Sequence, residues 1–166
     1  KIMNSVNHLV PQSRSRLIWI SIRKDLHIIP SFPKPLNIIL SVKDVLPYIE
    51  GMHRGQFDKT IVGTDRPCYT ITKTPSLRFI INNNEVKPTI KELLLLSGFP
   101  SDFKLIGSFT QQWNRIGNAV MPPMMFRIAE HIKYLLEGYT DENRTCEILD
   151  QRKHKSFKKN SYGIQS

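Results

Sequence analysis

The carboxy-terminal third of the chain carries its clearest periodic pattern of apolar residues. Apolar side chains recur about every fourth position after Pro122, at Met124, Met125, Ile128, Ala129, Ile132, Leu135 and Leu136. Such a stripe predicts an amphipathic helix over residues 122–137. Two prolines suit its first turn, where a missing N–H costs nothing, and Gly138 suits its end.

Shorter apolar runs predict strands earlier in the chain. Leu17–Ile22 is apolar at nearly every position, which predicts a strand buried on both faces in the middle of a sheet. Tyr69–Thr72 and Leu77–Ile81 are rich in β-branched and aromatic residues and predict two short strands. Three consecutive asparagines, residues 82–84, predict a turn after the second of these.

Two capping boxes predict helix starts, since each places a carboxylate three residues after a hydroxyl side chain. The box at Ser41 predicts a helix from residue 42 to about residue 50. The box at Thr89 predicts a helix through Leu96, which Gly98 ends.

Size and charge narrow the class of protein. The 166 residues suffice for one domain with a core. The 24 basic and 14 acidic residues give a net charge of +10, which favours a polyanionic partner, nucleic acid first; a merely soluble basic surface is the alternative. No apolar run approaches the ~20 residues that span a bilayer, and no secretory leader is recognisable, so neither membrane nor export is expected.

Cysteine and histidine usage excludes further classes. Cys68 and Cys146 are the only cysteines, which argues against a disulfide scaffold and favours a reducing, intracellular compartment. No Cys-x-x-Cys pair or histidine cluster predicts a metal site. The chain begins with lysine, so we expect a fragment or a processed product.

A polar segment, residues 112–121, leads into the predicted terminal helix. Gly117 in it allows the backbone to turn or to approach a ligand closely. Asn118 offers a small amide to the local backbone or to a ligand. This stretch continues as Gly-Asn-Ala-Val-Met-Pro-Pro over residues 117–123.

Four blocks of the sequence resemble those of DNA (cytosine-5) methyltransferases. Residues 117–123 are similar to the family's Gly-Asn-Ala-Val-Pro-Pro block, with methionine in place of the first proline. Residues 11–16 resemble its Pro-Gln-x-Arg-x-Arg block, and residues 89–103 the block that ends in Gly-Phe-Pro-x-x-Phe. Residues 65–72 are similar to the Pro-x-x-Thr-Ile-Thr segment of the target-recognition region. The blocks stand in the family's order over roughly residues 10–137.

The resemblance implies an α/β fold: the carboxy-terminal part of a Rossmann-like methyltransferase domain with a small mixed α+β target-recognition domain inserted. Residues 1–30 and 107–138 would be catalytic-domain segments, and residues 31–106 the recognition domain. Residues 139–166 would form a basic, solvated tail, with a nuclear-address or DNA-clamp role as the alternative.

The resemblance also implies roles for individual residues. Arg14 and Arg16, supported by Gln12, would face the active site, the second arginine being the better candidate for the flipped cytosine or its phosphate; a structural salt-bridge pair is the alternative. Three residues would close the methionine side of an S-adenosylmethionine pocket: Asn118, Ala119 and Val120. A larger pool would contact DNA: Arg66, Tyr69, Thr70, Thr72, Lys73 and Arg78.

The family's nucleophile and cofactor loop belong to blocks that precede those seen in this chain. Cys68 follows a proline, as the nucleophile does, but its place in the block order favours a recognition-region filler. The resemblance therefore implies target recognition and active-site completion in a restriction-modification type of methyltransferase, with double-stranded DNA and an amino-terminal catalytic half as partners. Two alternatives stay open: a DNA-recognition module without catalysis, and a portion of a transfer-RNA methyltransferase.

Overall fold

The computed structural model describes residues 1–138 as a mixed α/β arrangement with two small sheets. Strand β1 (Ile2–Asn4) pairs antiparallel with β2 (Ser15–Leu17), so that Ile2 lies opposite Leu17. The second sheet has the order β3 (Gly51–His53), β4 (Arg78–Ile81) and β5 (Asn84–Val86), and all its pairs are antiparallel. The predicted tail, residues 139–166, lies outside the described residues.

Four α-helices complete the described part. They are α1 (Val42–Val45), α2 (Ile90–Leu96), α3 (Phe109–Asn118) and α4 (Pro122–Glu137). Short 3-10 helices cover Ser5–His8, Lys24–Leu26 and Gly55–Phe57. Within residues 1–138, no helix combines the length and the apolar character needed to cross a membrane.

By its internal contacts the chain divides into two compact units. The first comprises Lys1–Ile18 and Pro35–Met125, and the second comprises Trp19–Lys34 together with the residues from Phe126 onward. This grouping rests on contacts and not on roles, so the functional segments expected from the sequence remain a prediction.

The first unit is built around one apolar core under the three-stranded sheet. Its largest fully buried side chains come from the residue that follows α1 and from β3, β4, α2 and α3: Leu46, Met52, Phe79, Leu93, Leu96, Trp113 and Ile116. Cys68 and Ile71 join this core from the connecting chain between β3 and β4. The segment of residues 68–72 is therefore anchored by burial at two positions, three residues apart.

The capping and turn predictions are largely confirmed. Helix α2 begins after Thr89, whose hydroxyl accepts from the Glu92 N–H at 3.2 Å while the carboxylate accepts from the Thr89 N–H. Asn82 and Asn83 take positive φ angles of 50° and 61°, which form the tight turn of the β4–β5 hairpin. Helix α4 spans the predicted residues and is followed by Gly138 at φ 77°.

Three predicted elements need correction. Leu17–Ile22 is not a buried strand: pairing ends near Ile18, and Trp19 is 85% exposed, because the two-stranded sheet offers no second layer to cover both faces. Tyr69–Thr72 is not a strand: none of its residues is in a ladder, and the neighbouring bridge joins Cys68, the residue before it, to Gln12. Helix α1 stops at Val45, because Pro47 disfavours helical backbone at Leu46.

The apolar stripe of α4 also differs from the prediction. Met124 and Ile128 are buried as expected, but Leu136 is 52% exposed. Arg127 and His131 are buried on the helix instead. Both have polar partners in the second unit: Arg127 Nη2 donates to the Lys34 carbonyl at 3.2 Å, and His131 Nε2 lies 2.8 Å from Ser31 Oγ. A polar side chain can be buried where such a bond is made, which hydrophobic spacing does not reveal.

Candidate functional site

Gln12 is the fully buried centre of a polar cluster in the first unit. Its Nε2 donates to Ser97 Oγ at 3.0 Å, and its Oε1 accepts from the Ile71 N–H at 3.1 Å. The flanking backbone pairs with Cys68, which donates to the Pro11 carbonyl at 2.9 Å. One amide side chain therefore joins the segment of residues 11–16 to the segment of residues 68–72 and to the end of α2.

Arg14 extends this cluster toward α3. The side chain is 3% exposed, and Nη1 donates to the Ile71 carbonyl at 2.6 Å while Nη2 donates to the Gly117 carbonyl. Among the described residues Nε has no hydrogen-bond partner. Both terminal nitrogens donate to backbone carbonyls, so Arg14 joins Ile71 and the end of α3 to the segment that leads into β2.

Gly117 lies in the last helical turn of α3. The prediction that it forms a turn between elements is therefore wrong. A Cβ atom at this position would lie 2.5 Å from the backbone of Thr72 and Lys73. Trp113 Nε1, one turn earlier, donates to the Thr72 carbonyl at 2.8 Å. The glycine thus permits the close approach of a protein backbone, whereas the other prediction was the close approach of a ligand.

Sequence reasoning missed α3, although the signal was present. Ser108 accepts from the Gln111 N–H at 3.3 Å and the Gln111 side chain returns to the Ser108 N–H at 2.9 Å, which completes a capping box. The helix carries Trp113 and Ile116 into the core. Its end brings the Gly117 carbonyl to the polar cluster.

These contacts bring the four sequence blocks together. Residues 11–16, 68–72, 97–100 and 117–121 all contribute an atom to the cluster around Gln12 and Arg14, since Gln12 Nε2 also lies 3.7 Å from Met121 Sδ. The cluster's long-range bonds join residues that are 57 to 109 positions apart.

The remaining active-site and cofactor candidates are more open. Arg16 is half-buried, and its Nη1 donates to the Ser15 carbonyl at 3.0 Å. Asn118 is exposed at the end of α3, Ala119 caps that helix, and Val120 is 38% exposed. These groups are accessible, whereas Gln12 and Arg14 are enclosed.

The DNA-contact candidates divide into two groups. Arg66, Thr70, Thr72 and Lys73 are exposed. Arg78 is half-buried and already engaged, because Nη1 donates to the Pro75 and Leu77 carbonyls and Nε lies 3.4 Å from Glu85 Oε1. Tyr69 is half-buried, and its ring packs beneath Arg54, a residue that no sequence signal indicated.

An open cleft of about 580 Å³ lies between residues 63–67 and Ser13, the residue before Arg14. It is lined by residues of the first unit: Val6, Ser13, Ile39, Gly63, Asp65, Arg66 and Pro67. Thr70 Oγ1 donates to the Ser13 carbonyl at 2.6 Å and fixes this side of the segment. Arg66 and the backbone next to Arg14 therefore share one concave surface.

Cys68 has the environment of a core residue. It is completely buried in the apolar cluster, and this burial raises the pKa of its thiol to about 12. A thiol is nucleophilic as the thiolate, so Cys68 is unsuited to covalent catalysis near neutral pH. Within residues 1–138 no group of three or more His, Cys, Asp or Glu side chains could hold a metal ion.

Comparison with known proteins agrees with this cluster of blocks. Residues 61–134 match the family described as C-5 cytosine-specific DNA methylase, so this part of the chain is homologous to DNA (cytosine-5) methyltransferases, as the sequence blocks predicted. The match includes α2, α3 and most of α4.

Relatives align over more of the chain. The type II methyltransferase M.AplI from Arthrospira platensis is 29% identical over 83% of this chain and 48% of its own length. M.SsoII from Shigella sonnei is 28% identical over 78% of this chain and 42% of its own length, and M.HhaI from Haemophilus parahaemolyticus is 25% identical over 80% and 52%. The chain spans about half the length of these relatives.

Proposed function

We propose that this chain provides target recognition and completes the active site in an S-adenosylmethionine-dependent DNA cytosine-5 methyltransferase. The supporting observation is the convergence of four family-like blocks on Gln12 and Arg14, although these blocks are far apart in sequence. An amino-terminal catalytic half would carry the cysteine nucleophile and the cofactor loop, on the same polypeptide or on another.

In this proposal residues 1–30 and 107–138 belong to a Rossmann-like catalytic domain, and residues 31–106 form the inserted recognition domain. The apolar surface of the β1–β2 ribbon supports such a partner. Ile2 and Leu17 are directly opposite one another across the strands, and they are 70% and 71% exposed. A cross-strand apolar pair of this kind is stabilised when another layer covers it.

The arginines then have different roles. Arg14 is a positioning residue, because both of its terminal nitrogens hold backbone carbonyls. Arg16, two residues further along and on β2, keeps donors for the flipped cytosine or its phosphate. Flipping costs a few kcal/mol, and a positioned guanidinium offsets part of that cost with charge-assisted hydrogen bonds. Gln12 holds the loop that carries both.

The end of α3 would contribute to the cofactor pocket. Asn118 is exposed next to Gly117, whose carbonyl accepts from Arg14, and the half-buried Ala119 and exposed Val120 lead from it into α4. An exposed amide fits the polar amino-acid part of S-adenosylmethionine. When bound, that cofactor supplies the methyl group, and Asn118 orients its polar end.

Duplex DNA is the proposed substrate, recognised by the exposed part of residues 54–73 and by the arginine strand. Four exposed cations lie in that range: Arg54, Lys59, Arg66 and Lys73. Basic side chains hold phosphates, while arginine and threonine can also read base edges in the major groove. Intracellular, DNA-associated localisation follows from this proposal.

Binding across a salt series tests the recognition part of the proposal. The full chain should bind mixed-sequence duplex DNA more tightly than transfer RNA. The logarithm of its binding constant should fall linearly with the logarithm of the salt concentration. A variant with glutamine at five basic tail positions separates tail from recognition surface: Arg152, Lys153, Lys155, Lys158 and Lys159. It should show a shallower slope with unchanged sequence preference. A flat slope, no binding at low salt, or a preference for transfer RNA contradicts the proposal.

A further inference from the structure

Arg54 is stacked over the ring of Tyr69, with its Cζ atom 4.4 Å from the ring centroid. We propose that Arg54 is a DNA-contacting residue and that Tyr69 is the platform that positions it. The inference rests on the proposed function and adds to it, since neither the motifs nor the apolar pattern indicated Arg54. The acceptor would be a pair of neighbouring atoms on duplex DNA, either two phosphate oxygens or an oxygen and a nitrogen on the edge of a base.

The backbone holds Arg54 in one place at the end of β3, a strand whose three residues are all buried. Its N–H donates to the Asp58 carbonyl at 2.9 Å, and its carbonyl accepts from the Phe57 N–H at 3.3 Å. The next residue, Gly55, has a φ of 60°, and a Cβ atom there would lie 2.2 Å from the Ser76 carbonyl oxygen. The loop can therefore close only with glycine at this position.

His53 secures the same loop from below. Its Nδ1 accepts from the Gly55 N–H at 3.0 Å, and its Nε2 lies 3.1 Å from Glu85 Oε2 on β5. The imidazole is 3% exposed, so these bonds form away from solvent. The strand end that carries Arg54 is thus fixed by both its backbone and the preceding side chain.

Tyr69 is held just as firmly by its neighbours in the chain. Cys68 is completely buried, and its backbone bonds to both Pro11 and Ser13. Thr70 Oγ1 donates to the Ser13 carbonyl at 2.6 Å. The aromatic ring therefore stands at a fixed point of the recognition segment, half-buried, with Arg54 over it.

Stacking uses the face of a guanidinium and leaves its N–H groups pointing outward in the guanidinium plane. Arg54 is exposed, and within residues 1–138 its side-chain N–H groups make no hydrogen bond. The nearby Asp58 carboxylate accepts from the Thr60 N–H at 2.9 Å. In contrast, both terminal nitrogens of Arg14 donate to backbone carbonyls.

A pre-positioned fork of donors matches two acceptors on duplex DNA. One is a phosphate, which takes two parallel N–H bonds, and the other is the O6/N7 edge of guanine in the major groove. The chemistry of recognition is the same for both, and only the source differs. A fixed fork loses less side-chain entropy on binding than a mobile one.

The experiment compares the full chain with single variants in binding to mixed-sequence duplex DNA. Arg54→Ala should weaken binding about thirtyfold, the middle of the range for one bidentate contact. Arg54→Lys keeps the charge but loses the fork, and it should recover only part of this loss. Tyr69→Phe keeps the ring face beneath Arg54, so its loss of affinity should be far smaller than that of Arg54→Ala. Lys87→Ala removes an exposed cation at the end of the β4–β5 hairpin and should change little.

Tyr69→Leu tests the platform role. It should weaken binding about threefold, as expected for loss of one exposed cation–π contact, but only when Arg54 is present. In the Arg54→Ala background the same change should have almost no further effect. An undiminished loss in that background, or a large loss with Tyr69→Phe, would mean that Tyr69 itself contacts DNA and would overturn the platform role.

Two readouts identify the acceptor. If Arg54 binds phosphate, Arg54→Ala should reduce the salt slope by about one and weaken all sequences equally. If it binds guanine, selection from random duplexes should lose preference at one position while the slope stays the same. Binding that is salt-dependent in the wild type and unchanged in Arg54→Ala overturns this inference alone. No binding by the wild type overturns the proposed function, and this inference with it.

Discussion

At the scale of single residues, two buried polar side chains organise the candidate site. Sequence reasoning selected Gln12 and Arg14 from a short motif, but it gave no means of finding their partners. Arg14 reaches carbonyls 57 and 103 positions away, and a backbone carbonyl is the same group in every residue. Bonds of this kind leave no local pattern, so the cluster is visible only in the folded chain.

Arg14 should contribute strongly to stability. Arg14→Ala leaves the Ile71 and Gly117 carbonyls without their donors, and bonds from a charged group are worth about 1.5–3 kcal/mol each. We expect the free energy of unfolding in urea to fall by about 3 kcal/mol. Arg14→Lys, with one compact head group, should lose about half of that.

Arg16→Ala is the matched control, because Arg16 is half-buried and, within residues 1–138, its side chain bonds only to the Ser15 carbonyl. Its effect on unfolding should stay within about 0.5 kcal/mol. Equal losses for Arg14→Ala and Arg16→Ala would contradict the positioning role of Arg14.

Cys68 should make stability fall at alkaline pH. Burial raises the pKa of its thiol to about 12 in the folded chain, whereas an unfolded cysteine titrates near pH ~8.5. Above that pH the unfolded state releases a proton that the folded state retains, so stability declines by up to about 1.4 kcal/mol per pH unit.

Unfolding of the wild type and of Cys68→Ala, followed from pH 8 to pH 11 (about the range between the two pKa values), isolates this effect. Cys146 is present in both proteins and cancels in the comparison. The wild type should lose stability more steeply than the variant as the pH rises. Parallel curves would show that the thiol titrates normally and is not enclosed.

At the scale of elements, the sequence predicted correctly those helix starts and turns that depend on neighbouring residues. The Thr89 capping box, the asparagine turn and the proline start of α4 were all found, because each depends on residues within a few positions. Leu17–Ile22 was wrong, since burial of a strand depends on what lies beside it. Helix α3 was overlooked because the glycine at its end drew attention to a turn.

The packing of α3 against the backbone of Thr72 and Lys73 predicts whether Gly117→Ala raises or lowers the stability of the chain. In an ordinary helix, Gly117→Ala would add about 1 kcal/mol of stability. Here the new Cβ would lie 2.5 Å from the backbone of Thr72 and Lys73, so we expect a net loss of about 2 kcal/mol.

Gly63→Ala provides the comparison, because the nearest atom to its Cβ is the movable end of the Asp65 side chain, at 3.0 Å. Thermal unfolding should show a lower midpoint for Gly117→Ala and little change for Gly63→Ala. A stabilised Gly117→Ala protein would mean that the Thr72–Lys73 backbone does not lie against α3.

At the scale of the whole molecule, the described residues have a well-packed core in the first unit and an apolar surface that nothing in them covers. Ile2 and Leu17 lie exposed on the β1–β2 ribbon, and Trp19 follows at 85% exposure. The relatives are about twice as long as the chain. The sequence blocks predicted their family, and reconstitution with an amino-terminal half tests the proposed assembly.

Methyl transfer by a reconstituted pair tests the central claim most directly. The full chain is co-expressed with the amino-terminal half of M.AplI, and labelled S-adenosylmethionine is supplied with mixed-sequence duplex DNA. The co-purified pair should methylate cytosine while the chain alone does not. Arg16→Ala should lower the rate about a hundredfold with assembly unchanged, and Asn118→Ala should weaken cofactor binding with DNA binding retained. Methylation by the chain alone, or an assembled pair whose rate is insensitive to Arg16→Ala, would contradict active-site completion by this chain.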